Sequence, residues 1–207
     1  MAVSLSICNL ALGDVRASSI AEIGEATLEA QLCSRYYPHC LSMMLDDYTW
    51  AFTKKIATLA ELSSNDRASE WAHAYSLPAD CAQAIRLVPS DTMSTSYVQW
   101  NYPWDQGIPP NWWSDFIVEA GVLYTQVDSA VLEYASNAAD EAVMPPLFRE
   151  ALRKLLAANL AIPLRDDNNL KVILLKEAEA ARQAAIANDM NRYPTRGVVD
   201  EVAWARR

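Results

Sequence analysis

Apolar residues recur at helical spacing toward both ends of this 207-residue chain and switch to short extended runs between them. That change of period bounds the fold more tightly than any single motif does. Residues 4–13 place Ile7, Leu10 and Ala11 on one face behind Ser4, a residue suited to an N-cap, and Gly13 ends the segment. Ser19 and Glu22 have capping-box spacing, which predicts a second helix start nearby. A longer helical stretch follows over 25–48, with Cys33, Tyr36, Tyr37, Cys40, Leu41, Met44 and Tyr48 as its apolar stripe. Pro38 lies within it and is expected to kink or split it.

After Trp50 the helical period is lost. The sequence reads as extended from Trp71 to Pro89, with the turn-like Leu77-Pro78-Ala79-Asp80 leading into Cys81–Val88. Three apolar runs follow further on: Phe116-Ile117-Val118, Val122-Leu123-Tyr124 and Val131-Leu132-Glu133-Tyr134. Ala120-Gly121 connects the first two, and Asp128-Ser129 precedes the third, so an antiparallel meander is expected. Helix returns at Pro145-Pro146 with Phe148, Leu152, Leu155, Leu156 and Asn159. Pro163 and the polar run 165–169 break it, Asn169 is the expected cap, and a last helix over 170–188 carries Ile173, Leu174, Ala178, Ala181 and Ala185.

The expected class is therefore α+β: N- and C-terminal helices packed as a bundle, with a small antiparallel β-meander inserted. The expected organisation is N-terminal helices over 1–64, the meander and a Trp/Pro-rich loop over 65–140, a helix pair over 141–190 and a tail over 191–207. Four of the seven tryptophans, Trp100, Trp104, Trp112 and Trp113, crowd that loop. Massed aromatics between prolines are costly to expose, so the loop is expected to be buried at an interface with a partner or a neighbouring subunit, or else to plug the protein's own core.

Composition narrows function by exclusion. A net charge of -9 does not suit a protein that grips nucleic acid, which needs clustered Lys and Arg to neutralise phosphates. The last nineteen residues lean the other way, with Arg192, Arg196, Arg206 and Arg207 against Asp189, Asp200 and Glu201. No apolar run has the length of a membrane span, and the start lacks the basic and apolar regions of a signal peptide, so synthesis in the cytoplasm is expected. Cys8, Cys33, Cys40 and Cys81 form no CxxC pair, and His39 beside Cys40 supplies too few ligands for structural zinc; buried free thiols are the expectation. The chain has no Gly-rich phosphate loop, GxSxG, HExxH or calcium-loop pattern. Asp46-Asp47 and Asp166-Asp167 are sequence neighbours that point apart on a helix. No catalytic, cofactor or metal residue is expected.

Four segments carry a family resemblance. They are Tyr36-Tyr37-Pro38 with Trp50-Ala51-Phe52-Thr53-Lys54; Trp71 to Cys81, including Tyr75-Ser76-Leu77-Pro78-Ala79-Asp80-Cys81; Glu119-Ala120-Gly121 with Leu132-Glu133-Tyr134; and Pro146 to Ala151-Leu152, continuing through Leu160-Ala161-Ile162-Pro163-Leu164. In this order, over about residues 3–190, they resemble the head-to-tail adaptors (connectors) of tailed bacteriophages, of the tail tubular protein A type. The Trp/Pro-rich loop has no counterpart in that pattern.

The resemblance implies a structural virion protein at the head–tail junction, made in the host cytoplasm, and not an enzyme. Its implied partners are the portal protein, a downstream tail or nozzle protein, and further copies of itself in a ring of about twelve. DNA would pass through the channel without tight binding; the acidic surplus either lines that lumen and repels DNA or serves solubility alone. The C-terminal region would meet the portal through Tyr193, Arg196, Val198, Val199, Val202, Trp204, Arg206 and Arg207, with Trp204 as the anchor. Two other classes remain open from the residues alone. A soluble enzyme with an unrecognised site would reveal itself by turnover, and a non-viral interaction scaffold by indifference to any portal.

Overall fold

A computed structural model describes residues 3–88 and 115–192. Its elements run α1 (Leu5–Asp14), α2 (Leu28–Asp47), a 3-10 turn (Ala51–Thr53), β1 (Lys54–Thr58), β2 (Ala60–Glu61), β3 (His73–Ser76), β4 (Cys81–Val88), β5 (Phe116–Glu119), β6 (Val122–Thr125), β7 (Val131–Ser136), a second 3-10 turn (Glu141–Val143), α3 (Pro146–Arg165) and α4 (Asn168–Arg192). The fold is mixed, with four helices and two small antiparallel sheets among the described residues. Residues up to Phe52 and from Ala139 onward form one unit, and Thr53–Ala138 form the other.

In the helical unit, Ser4 Oγ accepts from the Ile7 amide at 3.2 Å and so caps α1. Ile7, Cys8, Ala11 and Leu12 are buried, whereas Leu10 is 52% exposed, outside the stripe expected of it. No helix starts at Ser19. Glu25 instead turns its carboxylate onto the Ala21 and Glu22 amides, at 2.6 and 3.1 Å, and α2 begins beyond it under the Thr27 cap. Asn9 fixes this connection by exchanging two hydrogen bonds with the Ile20 backbone, at 2.9 and 2.8 Å.

Helix α2 is one continuous helix through Pro38, so of the expected kink or split the split does not occur. Proline removes one backbone hydrogen bond, but Cys33, Tyr37, Cys40, Leu41 and Met44 are buried on both sides of it, and that packing outweighs the local loss. Pro146 opens α3 at a position where its missing amide costs nothing. Helix α3 likewise passes Pro163, and Asp166 in the left-handed region (φ 51°) ends it at Arg165. Asp167, not Asn169, then caps α4, its carboxylate accepting from the Leu170 amide at 2.9 Å. Of the expected stripe, Leu174, Ala178 and Ala185 are buried, whereas Ile173 is 54% exposed.

All four helices contribute to one apolar core, centred on Tyr37, Leu41, Trp50, Phe148, Leu152, Leu156 and Leu160. Trp50 packs edge-on to Tyr48 and Phe148 at ring separations of 5.0 and 4.8 Å.

The β unit holds the expected strands but not the expected meander. Residues β5 and β6 do form a hairpin, joined by Ala120 (φ 47°) and Gly121 (φ 82°), the backbone of a tight two-residue turn. The third run, β7, leaves that sheet and inserts between β1 and β4. The sheet orders are β1-β7-β4 and β2-β3-β6-β5. Each sheet thus centres a strand with several fully buried positions (β7 in one, β6 in the other), and hydrophobicity along the chain does not say which neighbour such a strand will choose. Leu59, Tyr75, Leu87, Leu123, Leu132 and Tyr134, drawn from both sheets, share a second core.

Candidate functional site

The expected contact residues fall outside the described residues: Trp100, Trp104, Trp112 and Trp113 of the loop, and Tyr193, Arg196, Val198, Val199, Val202, Trp204, Arg206 and Arg207 of the tail. What the structure places is their attachment. Segment 89–114 follows β4 and precedes β5, and each of these is the outer strand of its sheet among the described residues. Residues 193–207 follow directly from the end of α4.

The helical unit carries two surface features. One is a shallow cleft of about 180 Å³, lined by α1 (Ser6, Ile7, Leu10), Glu141 and α3 (Pro146, Arg149, Glu150, Arg153). It mixes apolar edges with paired charges, since Arg153 pairs with Glu150 and lies 3.5 Å from Asp14. The other is the first turns of α4, where Val172, Ile173 and Leu175 are exposed while Leu174 faces the core. Charges tie the helices together. Lys154 bridges Asp14 at 3.6 Å and Glu177 at 2.8 Å, linking α1, α3 and α4, and Arg182 pairs with Glu179 and Asp47.

The β unit is organised around Asp80. It accepts from Lys55 Nζ at 2.7 Å, Ser136 Oγ at 2.8 Å and the Tyr134 hydroxyl at 3.0 Å, thereby joining all three strands of the β1-β7-β4 sheet at one end. The Lys55 hydrogen bond, reinforced by Ser136 and Tyr134, holds its carboxyl down at about 2. The turn expected at Leu77–Asp80 is present, closed by the Cys81 amide on Pro78 O at 2.9 Å. A second polar group lies on the other sheet, where Glu61, His73 and Asp128 bring ligand-type atoms within 4.8 Å of one another.

No family model matches the chain, and the search of curated proteins found no match to it.

The four cysteines are free, with Cys8, Cys33 and Cys40 buried and Cys81 partly so. Burial pushes the Cys40 thiol up to about 11, and the Cys33 hydrogen bond and burial raise Cys8 well above the thiol range, so neither is primed as a nucleophile. No helix among the described residues is long and apolar enough to cross a membrane. Neither the Asp80 hub nor the Glu61–His73–Asp128 group was visible in the sequence. Their members lie far apart along the chain, and only strand pairing brings them together.

Proposed function

We propose that this chain is a structural virion protein, the head-to-tail adaptor that joins the portal of a tailed bacteriophage to its tail. The observation that carries the reading is the nesting of the two units. The helices before and after it, α1, α2, α3 and α4, belong to the helical unit, and the β unit is inserted between α2 and α3, with segment 89–114 connecting β4 to β5. This agrees with the order of segments that resembles the adaptors. Those segments also occupy structurally demanding positions: Tyr37, Trp50 and Phe148 lie in the helical core, and Asp80 organises a sheet.

In this role the terminal helices, packed as a bundle, form the body of a ring of about twelve copies that continues the DNA exit channel at the head–tail junction. Exposed Val172, Ile173 and Leu175 on α4 suit lateral contact with a second copy. The acidic balance lets DNA pass without tight contacts. The tail reaches the portal, and segment 89–114 meets the next tail component or an adjacent subunit.

Mass measurement and negative-stain microscopy of the full chain with its own portal test the proposal. The expected product is a closed adaptor ring, one adaptor per portal subunit. A single adaptor per portal ring, or no association, overturns it.

A further inference from the structure

We propose that Glu61, His73 and Asp128 form a binding site for a divalent transition-metal ion such as Zn²⁺. Glu61 is on β2, His73 on the adjacent strand β3, and Asp128 on the turn between β6 and β7. In the β2–β3 register Glu61 faces Tyr75, so His73 lies diagonally across on the same face. His73 Nδ1 is 2.7 Å from Glu61 Oε1, and the three ligand atoms all lie within 4.8 Å of one another. Ligands around one such ion, each about 2.1 Å from it, sit about 3–4 Å apart, so side-chain rotation that opens the His73–Glu61 pair completes the triangle.

The backbone that carries these side chains is braced on either side of His73. Gln126 Oε1 accepts from the Ala72 amide at 3.2 Å, and the Tyr75 hydroxyl donates to Val127 O at 3.0 Å. The two residues preceding Asp128 are thereby held against the segment that carries His73. Tyr75 is buried, and its ring stacks near the imidazole at 6.2 Å. Such outer contacts orient metal ligands before the ion arrives.

Charge argues the same way. Among the described residues no Lys or Arg pairs with Glu61 or Asp128; Glu61 pairs with His73 alone. Two carboxylates beside one imidazole carry negative charge that a divalent ion balances. One nitrogen and two oxygen donors suit a borderline ion, with the remaining positions open to water on this exposed edge. The bound ion would fasten the two-residue strand β2 to the β6–β7 turn.

The test is titration of the full-length, chelator-stripped protein with Zn²⁺, and with Co²⁺ as a spectroscopic stand-in. One ion per chain is expected, giving visible Co²⁺ bands without the near-ultraviolet absorption of a thiolate ligand. The ion should also raise the melting temperature. Asp128→Asn and His73→Gln should each weaken binding by about tenfold or more. His73→Gln keeps a hydrogen-bond donor toward Glu61, so its metal-free melting temperature should match that of the parent chain. Absence of binding, thiolate absorption, or unchanged affinity in His73→Gln overturns the proposal.

Discussion

The Ala51 backbone amide donates a 3.0 Å hydrogen bond to Asp189 Oδ2, which ties the exit of α2 to the last turns of α4 across 138 residues of sequence. Asp189 is only 5% exposed, a carboxylate buried beside the aromatic cluster of Tyr48, Trp50 and Phe52. Trp50 makes the companion contact, its Nε1 donating to Met44 O at 2.6 Å.

Replacing Asp189 with Ala leaves the Ala51 amide without that acceptor in a partly buried place. The expected cost is about 2 kcal/mol, the range for a hydrogen bond to a charged group. Urea unfolding followed by tryptophan fluorescence measures it. A loss below about 0.5 kcal/mol would mean that water replaces the carboxylate without penalty.

Asp80 predicts an acid-sensitive sheet. Its folded carboxyl titrates at about 2, below the ordinary value of about 4, so its contribution is fully present above pH 4 and is lost as the pH falls through 2. Asp80→Asn should therefore be less stable than the parent chain at pH 6, and the difference should shrink toward pH 2. Thermal unfolding of both proteins across that range checks it. A gap independent of pH would assign the effect to shape instead of charge.

The thiols should divide into two classes. Cys81 is partly exposed, while Cys8, Cys33 and Cys40 are buried with no disulfide. At neutral pH under native conditions a disulfide-exchange reagent should titrate about one thiol per chain, with the other three released only on unfolding. Cys81→Ser should abolish the fast phase and leave the slow one unchanged.

The proposed adaptor role makes a prediction for the tail. Deleting residues 195–207 should leave the helical unit folded, because Tyr37, Leu41, Trp50, Phe148, Leu152, Leu156 and Leu160 of its core are all retained, and should abolish attachment to the portal. Trp204→Ala alone should weaken attachment by about 2 kcal/mol, the scale of an interface hot spot. Arg196, Arg206 and Arg207 should affect the rate and salt dependence of association more than its final strength. Undiminished binding by the deletion variant removes the tail as the docking element.

Much of the local structure was legible from residue types. Ser4 announced α1, Pro146 opened α3, and Ala120-Gly121 marked the β5–β6 hairpin, because caps, proline geometry and positive-φ turns are decided within a few residues. Ser19 and Glu22 misled for a related reason. Their spacing satisfies the capping rule, but Glu25 captures the same amides and Thr27 takes the cap. Leu10 and Ile173 matched the helical period yet face outward, since a stripe shows which residues can be buried and not how wide a surface the neighbouring helix covers.

The sequence by itself determined the order of elements: helices at the ends, strands between, and a chain of acidic balance. Tertiary structure alone decided that α2 crosses Pro38 intact, that β7 abandons its neighbour β6 for β1 and β4, and that Asp80, Lys55, Tyr134 and Ser136 meet. It also decided that Glu61 of β2, His73 of β3 and Asp128 of the β6–β7 turn come together. The physical reason is range. Capping, turn formation and helical period act over a few residues, whereas strand partners and side-chain clusters are chosen by how much apolar surface the whole unit can bury at once.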